Sequence, residues 1–311
     1  MRIGVMIGEG GGQSGTIDNL VAQVRRAEED GLHTAWFANI FGFDAMTVAA
    51  IAGWETARIE VGTAVVPTFP RHPVAMAQQA LSTQVAAKGR FSLGIGLSHQ
   101  VVIEGMFGLS FAKPYSHMKE YLAVLAPLIR QGSVGHQGAE FRVAANVTVP
   151  GVKPCPILLA ALAPKMLALA GGIGDGTITW MTGPKTLRDH TVPRITEAAA
   201  QAGRPAPRVV AGLPIVVTED VPAARMAAAQ FFQIYGALPS YRAMLDREGA
   251  EGPGDVVIAG NEAAVGEQLE ALARSGVTDF LAAPFPVGAD AQASLQRTRA
   301  VLVAMAKRAR G

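Results

Sequence analysis

The sequence predicts a (β/α)8 TIM barrel of the α/β class with an insertion after the fourth strand, and three observations predict it. Short β-branched runs alternate with helical patterns from one end of the 311 residues to the other, which is how a parallel sheet laced with crossover helices reads. The alternation counts eight strands, whereas a doubly wound sheet typically uses fewer and shows a crossover between two halves. The composition is half hydrophobic but only 6% aromatic, with 35 glycines. That suits a closed parallel sheet buried on both faces.

The elements follow in order. Strand one is Arg2 to Ile7. Its helix starts near Thr16, carries the stripe Ile17, Leu20, Val21 and Val24, and stops at Gly31. Strand two is Thr34 to Ala38, with Asp44 capping the helix that reaches Ala57. Strand three is Ile59 to Val66, and the loop holding Pro67, Pro70 and Pro73 leads into a helix over Val74 to Lys88. Strand four is Phe91 to Gly96. The rhythm then breaks, with a loop over 97–114, a helix over 115–130 and a hairpin or extended insert over 135–149. Strand five is Ile157 to Ala160, strand six Thr177 to Trp180, strand seven Val209 to Val217 and strand eight Phe280 to Ala283; Gln292 to Arg308 closes as a helix. Residues 1–311 read as one barrel domain, with the segment 97–156 as an insertion over the mouth, where barrel enzymes carry variable loops.

Several function classes are disfavoured. A net charge of +2, with basic residues clustered only at Lys307, Arg308 and Arg310, gives no footprint for nucleic acid. One cysteine, Cys155, cannot form an internal disulfide. The opening residues read as a strand rather than a signal peptide, and no apolar run has the length of a membrane span. A cytoplasmic protein working on a small molecule is the expectation. The six histidines show neither H-x-H nor H-E-x-x-H spacing, so no metal is expected.

Gly10-Gly11-Gly12-Gln13-Ser14-Gly15 fits the G-x-G-x-x-G dinucleotide fingerprint between a strand and a helix. The acid that grips a ribose should end the second strand, and Asn39 stands there. The glycine run therefore reads as a loop at the barrel rim.

Three stretches, in order and at matching spacing, carry a family resemblance: Val61 to Pro73, Gly89-Arg90-Phe91-Ser92-Leu93-Gly94-Ile95-Gly96, and Ala160 to Pro164 followed by Gly174-Asp175-Gly176. Together they resemble the luciferase-like monooxygenase superfamily, particularly its branch using deazaflavin coenzyme F420. The resemblance implies a bulge with a non-prolyl cis peptide at Ala64–Val65, backing the central ring of a bound tricycle. It places Thr63, Ala64, Val65, Asn39, Ile40, Gly96, Ser98 and His99 around the ring. Trp180 ends strand six and either walls the cofactor or fills the barrel. It seats the cofactor phosphate at Ala160, Ala161, Leu162 and Ala163. The last point has independent physics, because Pro164 suits a first helical position and leaves free N–H groups ahead of it.

Flavin-using relatives hold the phosphate with an arginine just past strand four, where this chain has Leu97. Coenzyme F420 is thus expected over FMN. The sugar-phosphate dehydrogenase branch has Asp-His at the end of strand two and a Glu after strand four. Asn39-Ile40 and His99 stand here, so glucose-6-phosphate oxidation is not expected. The resemblance also implies a homodimer.

Hydride uptake by an electron-poor C=C or C=N bond leaves an anion that needs a proton. His99 is the first candidate acid, because imidazole titrates near neutral pH; a loop histidine can equally just hold a backbone carbonyl. Glu9 is the second candidate, and Asn39 a hydrogen-bonding one that could equally cap a turn. His117 and Tyr115 can line a cleft or simply pack. Met106, Phe107, Leu109 and Phe111 read as a lid or as packing. The expected activity is F420-dependent reduction of an activated double bond. The rival readings are an FMN-dependent monooxygenase and a barrel that only binds and stores deazaflavin.

Overall fold

The computed structural model describes residues 1–8, 15–288 and 290–309. Its strands are β1 (Arg2–Ile7), β2 (Thr34–Phe37), β3 (Glu60–Thr63), β4 (Val66–Pro67), β5 (Phe91–Gly96), β6 (Ser133–Gln137), β7 (Arg142–Asn146), β8 (Ile157–Leu159), β9 (Gly176–Trp180), β10 (Arg208–Val217), β11 (Ile258–Gly260) and β12 (Asp279–Pro284). Eight of them close a parallel ring in the order β1-β2-β3-β5-β8-β9-β10-β12 and back to β1. The predicted TIM barrel is thus the observed fold. β11, three residues that the sequence reading did not assign, pairs only with Ile215–Val217 at the end of β10. The helix Glu262–Arg274 after it was also unassigned.

Local chemistry explains the helix starts. The Thr16 side chain accepts from the Asn19 N–H, and Asp44 does the same for Thr47, satisfying donors that a first turn leaves free. Pro73, Pro114 and Pro164 each open a helix, where their missing N–H costs nothing. Gly31, at φ +76°, turns the chain out of the first helix in a region that favours glycine.

The barrel interior is layered. At the bottom, Arg208 reaches Glu60 at 2.9 Å and Asp279 at 2.6 Å, and Arg2 reaches Glu60 at 2.7 Å. Trp36, fully buried, lies over the Arg208 guanidinium. A Cβ at Gly62 would sit 2.5 Å from the Trp36 ring and one at Gly4 2.8 Å from its Nε1, so the indole needs glycine on both neighbouring strands. Above it Leu158, Ile178, Val210 and Leu281 pack with Met6, Ala64 and Val65.

The expected insertion over the mouth is corrected. The helix Pro114–Gln131 packs between Pro73–Ala86 and Pro164–Gly172, as the outer-ring helix that connects β5 to β8. Its buried stripe, including Tyr121, Leu125 and Leu128, is a barrel-facing face. The β6–β7 hairpin begins past the end of that helix and folds back along it. The Glu120 carboxylate accepts the N–H groups of Ala139, Glu140 and Phe141 at 2.9–3.0 Å. Residues 97–113 follow the C-terminal end of β5, and the hairpin packs Phe141 on His72 and His117 at the starts of the helices Pro73–Ala86 and Pro114–Gln131. Among the described residues no helix is long and apolar enough to cross a membrane.

Candidate active site at the barrel mouth

Between the Gly62–Ser92 pair and the Val66–Ile95 pair, the chain running from β3 to β4 uses one more residue than β5. This is a bulge, which re-aims side chains at a barrel rim. Thr63 closes the gap: its hydroxyl donates to the Gly94 carbonyl at 2.8 Å and accepts the Gly94 N–H at 2.9 Å. The Thr63 hydroxyl is fully buried in that role, so it fixes the bulge rather than meeting a ligand. The Ala64–Val65 peptide is cis, the bond the resemblance implied. Val65 turns inward over β5, where a Cβ at Gly96 would meet Val65 Cγ2 at 2.7 Å and Ala160 Cβ at 3.1 Å. Glycine at 96 therefore lets Val65 and Ala160 approach one another at the top of the barrel.

Past β8 the turn 160–163 leads into the helix opening at Pro164. The Ala160 N–H bonds the Ile95 carbonyl at 2.8 Å. The N–H groups of Ala161, Leu162 and Ala163 have no backbone acceptor among the described residues. On the buried side, His190 Nε2 donates to the Leu162 carbonyl at 2.8 Å. Lys165, with its Nζ 5.7 Å from the Tyr115 ring centroid, stands one residue beyond Pro164. Free N–H groups ahead of a helix N-terminus are an arrangement that can hold an anion.

After β5, Leu97 packs on the apolar core and Ser98 takes a left-handed φ of +60°. His99 precedes the short helix Gln100–Gly105 without capping it. Its ring lies 5.6 Å from that of Tyr241, and among the described residues neither nitrogen has a hydrogen-bond partner. Burial lowers its pKa from the usual histidine value. Burial also raises that of Tyr241, with Tyr235 adding to it, so that phenol stays protonated.

Trp180 ends β9 against Phe232 and Tyr235, at 5.8 and 6.0 Å between centroids, and Phe232 continues to Phe285. The Trp180 Nε1 is buried without a partner among the described residues. This aromatic wall was missed from sequence apart from Trp180. The signal was there, since Phe231, Phe232, Tyr235 and Tyr241 crowd into a chain that is only 6% aromatic.

Asn39 takes one of the two roles open to it. Its Oδ1 accepts the Ala45 N–H at 3.0 Å, ordering the loop ahead of the next helix, and this is the capping alternative. Ile40 is half exposed at the rim, near Phe41, whose ring lies 6.1 Å from that of Phe107. Glu9 and Gly10–Ser14 of the glycine run lie outside the described residues. Met106, Phe107 and Leu109 are exposed, while Phe111 packs on Phe69 at 5.1 Å. Among the described residues no cluster of three His, Cys, Asp or Glu side chains could hold a metal.

His117 packs rather than lining the mouth. It stacks on Phe69 at 3.9 Å and meets the Thr68 hydroxyl at 3.1 Å, and burial pushes its pKa down to about 4. The unfolded chain therefore binds a proton that the native state refuses. Stability is full above the ordinary histidine value near 6.5 and falls as pH drops through that value towards about 4. We expect His117→Phe to remove about 2 kcal/mol of that pH-dependent loss, read by urea unfolding at pH 7 and pH 4.5. Parallel pH dependence in the two proteins would show that His117 titrates normally.

A parallel eight-stranded barrel with a bulge at its mouth and a turn of free N–H groups after the fifth barrel strand has its candidate site at the C-terminal rim, where (β/α)8 enzymes carry theirs. Residues 1–303 match the family model for luciferase-like monooxygenases, and the chain belongs to that family. It is 30% identical over 253 residues to a putative coenzyme F420-dependent oxidoreductase of Mycobacterium tuberculosis, covering 76% of this chain and 72% of the relative. It is 27% identical over 313 residues to the 5,10-methylenetetrahydromethanopterin reductase of Archaeoglobus fulgidus, covering 88% and 91%. Among solved structures, the coenzyme F420-dependent tetrahydromethanopterin reductase of Methanopyrus kandleri superposes with a TM-score of 0.79 at 21% identity, covering 98% of this chain and 97% of that one.

Proposed function

We propose that this protein is a coenzyme F420-dependent oxidoreductase that reduces an activated C=C or C=N bond of a small organic acceptor. The observation that carries the reading is the turn at 160–163, which offers N–H groups to a phosphate while Leu97 packs into the core where flavin-using relatives place an arginine. The name of the 30% identical relative supports the same cofactor. A bound deazaflavin supplies a carbon that gives or takes hydride; the remaining work falls to this chain. Leu162 and Ala163 would hold the phosphate through their N–H groups. Val65 would support one face of the ring, which the glycine at 96 leaves room to approach. The wall of Trp180, Phe232, Tyr235 and Phe285 excludes water and favours an apolar acceptor. His99, with both ring nitrogens free of partners among the described residues, would deliver the proton that the reduced acceptor requires.

Parallel fluorescence titrations test the cofactor. F420 is expected to bind at least tenfold tighter than FMN, a difference of about 1.4 kcal/mol. Equal affinities, or tighter FMN, overturn the assignment. Turnover of reduced F420 with an unsaturated ketone separates an enzyme from a storage barrel.

A further inference from the structure

We propose that His190 is a positioning residue that holds the 160–163 turn in its anion-binding form, a role resting on the phosphate seat proposed above. The structure carries the idea through one peptide plane. In a trans peptide the C=O and the following N–H point in opposite directions. The Leu162 carbonyl is pinned from the buried side by His190 Nε2 at 2.8 Å, so the Ala163 N–H is turned to the other side, towards the rim. The neighbouring plane is biased the same way. The Thr177 hydroxyl, 2.8 Å from the Leu159 carbonyl, also reaches the Ala161 carbonyl at 3.3 Å, which turns the Leu162 N–H outward.

The histidine is held as firmly as the turn it holds. Its ring is 4% exposed, and Arg194 Nε donates to its Nδ1 at 3.0 Å. With Nδ1 accepting, the ring is neutral and its one N–H lies at Nε2, the atom that faces Leu162. Burial lowers its pKa, and the Arg247 and Arg194 cations work in the same direction, against the opposing pull of the Leu162 bond. His190 sits in the π-helical turn Leu187–Thr191. Such widened turns recur at functional sites because the extra residue re-aims a side chain without ending the helix. Here the re-aimed side chain spans the gap between the helix after β9 and the turn after β8.

Among the described residues the side chain of His190 has two hydrogen-bond partners, the Leu162 carbonyl and Arg194. A phenyl ring fills the same buried volume but cannot donate to Leu162, whereas a glutamine amide can. The test uses two probes that differ only in the group the turn would hold: an 8-hydroxy-5-deazaflavin with a ribityl 5′-phosphate, and the same molecule without the phosphate. Affinities are measured by fluorescence for wild type, His190→Phe and His190→Gln, with thermal melts to show that each is folded. His190→Phe is expected to weaken the phosphorylated probe at least fivefold and leave the other within twofold, and His190→Gln to restore most of the loss. Equal weakening of both probes, or of neither, overturns the proposal. If wild type prefers FMN to both deazaflavins, the cofactor reading fails while FMN against riboflavin still reports the same contrast for His190.

Discussion

Replacing Arg208 by alanine is expected to destabilise the barrel by about 2–3 kcal/mol while leaving cofactor affinity unchanged in the protein that remains folded. The residue closes the bottom of the barrel, at the opposite end from the mouth. Its guanidinium bonds Asp279 at 2.6 Å, Glu60 at 2.9 Å and the Ser92 hydroxyl at 3.1 Å. Burial disfavours the charge, but Glu60 and Asp279 outweigh it, so the pKa of Arg208 is raised. Removing the cation leaves the Asp279 carboxylate, only 3% exposed, facing Glu60 in a low-dielectric layer under Trp36. Breaking a fully buried pair costs about 3–5 kcal/mol. Arg208 itself is 21% exposed, and Arg2 still reaches both carboxylates, at 2.7 and 3.4 Å, which brings the expected loss below that range. The double variant lacking Arg2 as well should lose more than the two single losses added, because the partners are shared. Guanidinium unfolding decides it, and a loss for Arg208→Ala under about 1 kcal/mol would mean that the carboxylates are well solvated without it.

The barrel was legible because its cause is local. Phe91 to Gly96, buried at every position, reads as a continuous run because a parallel strand is covered on both faces. Thr16, Asp44 and the helix-opening prolines announce themselves by residue type. The placement of residues 114–146 was not legible. An apolar stripe says that a helix has a buried face but not which surface covers it, and the hairpin is anchored by Glu120 to backbone some twenty residues away. β11 is too short to show a period, and it forms because β10 runs on past Gly212, its last partner position with β9, and leaves that edge open at Ile215–Val217. In the site, the family resemblance located the bulge and the turn at 160–163, but not the side chains that set them. Thr63 and Asn39 bond backbone groups nearby in space, and nothing in their residue type chooses that over a ligand. His190 lies 28 positions from the carbonyl it holds, and only the assembled barrel brings the two together.

The second large effect concerns His99, whose replacement by alanine is expected to lower turnover about 10²-fold with cofactor affinity near wild type. A loop histidine engaged with a backbone carbonyl would have shown that bond. Instead both nitrogens are without partners among the described residues, and the ring leans on Tyr241 at the edge of the aromatic wall. Tyr241 is held protonated by burial and by Tyr235, so it cannot take the proton from its neighbour. The pH dependence has a definite sign. Burial lowers the pKa of His99, so at pH 7 the protonated form is a minority. A step that needs that form must speed up as pH falls from 7 and level off only below the lowered pKa. Wild-type kcat against an unsaturated ketone should therefore rise towards acid pH, while His99→Ala should be slow and flat over the same window. The contrast also separates the roles, because a packing residue would change stability or KM without removing the slope. Wild-type turnover in the variant, or an unchanged pH profile, would leave His99 as a ring packed on Tyr241 and move the proton donor elsewhere at the mouth.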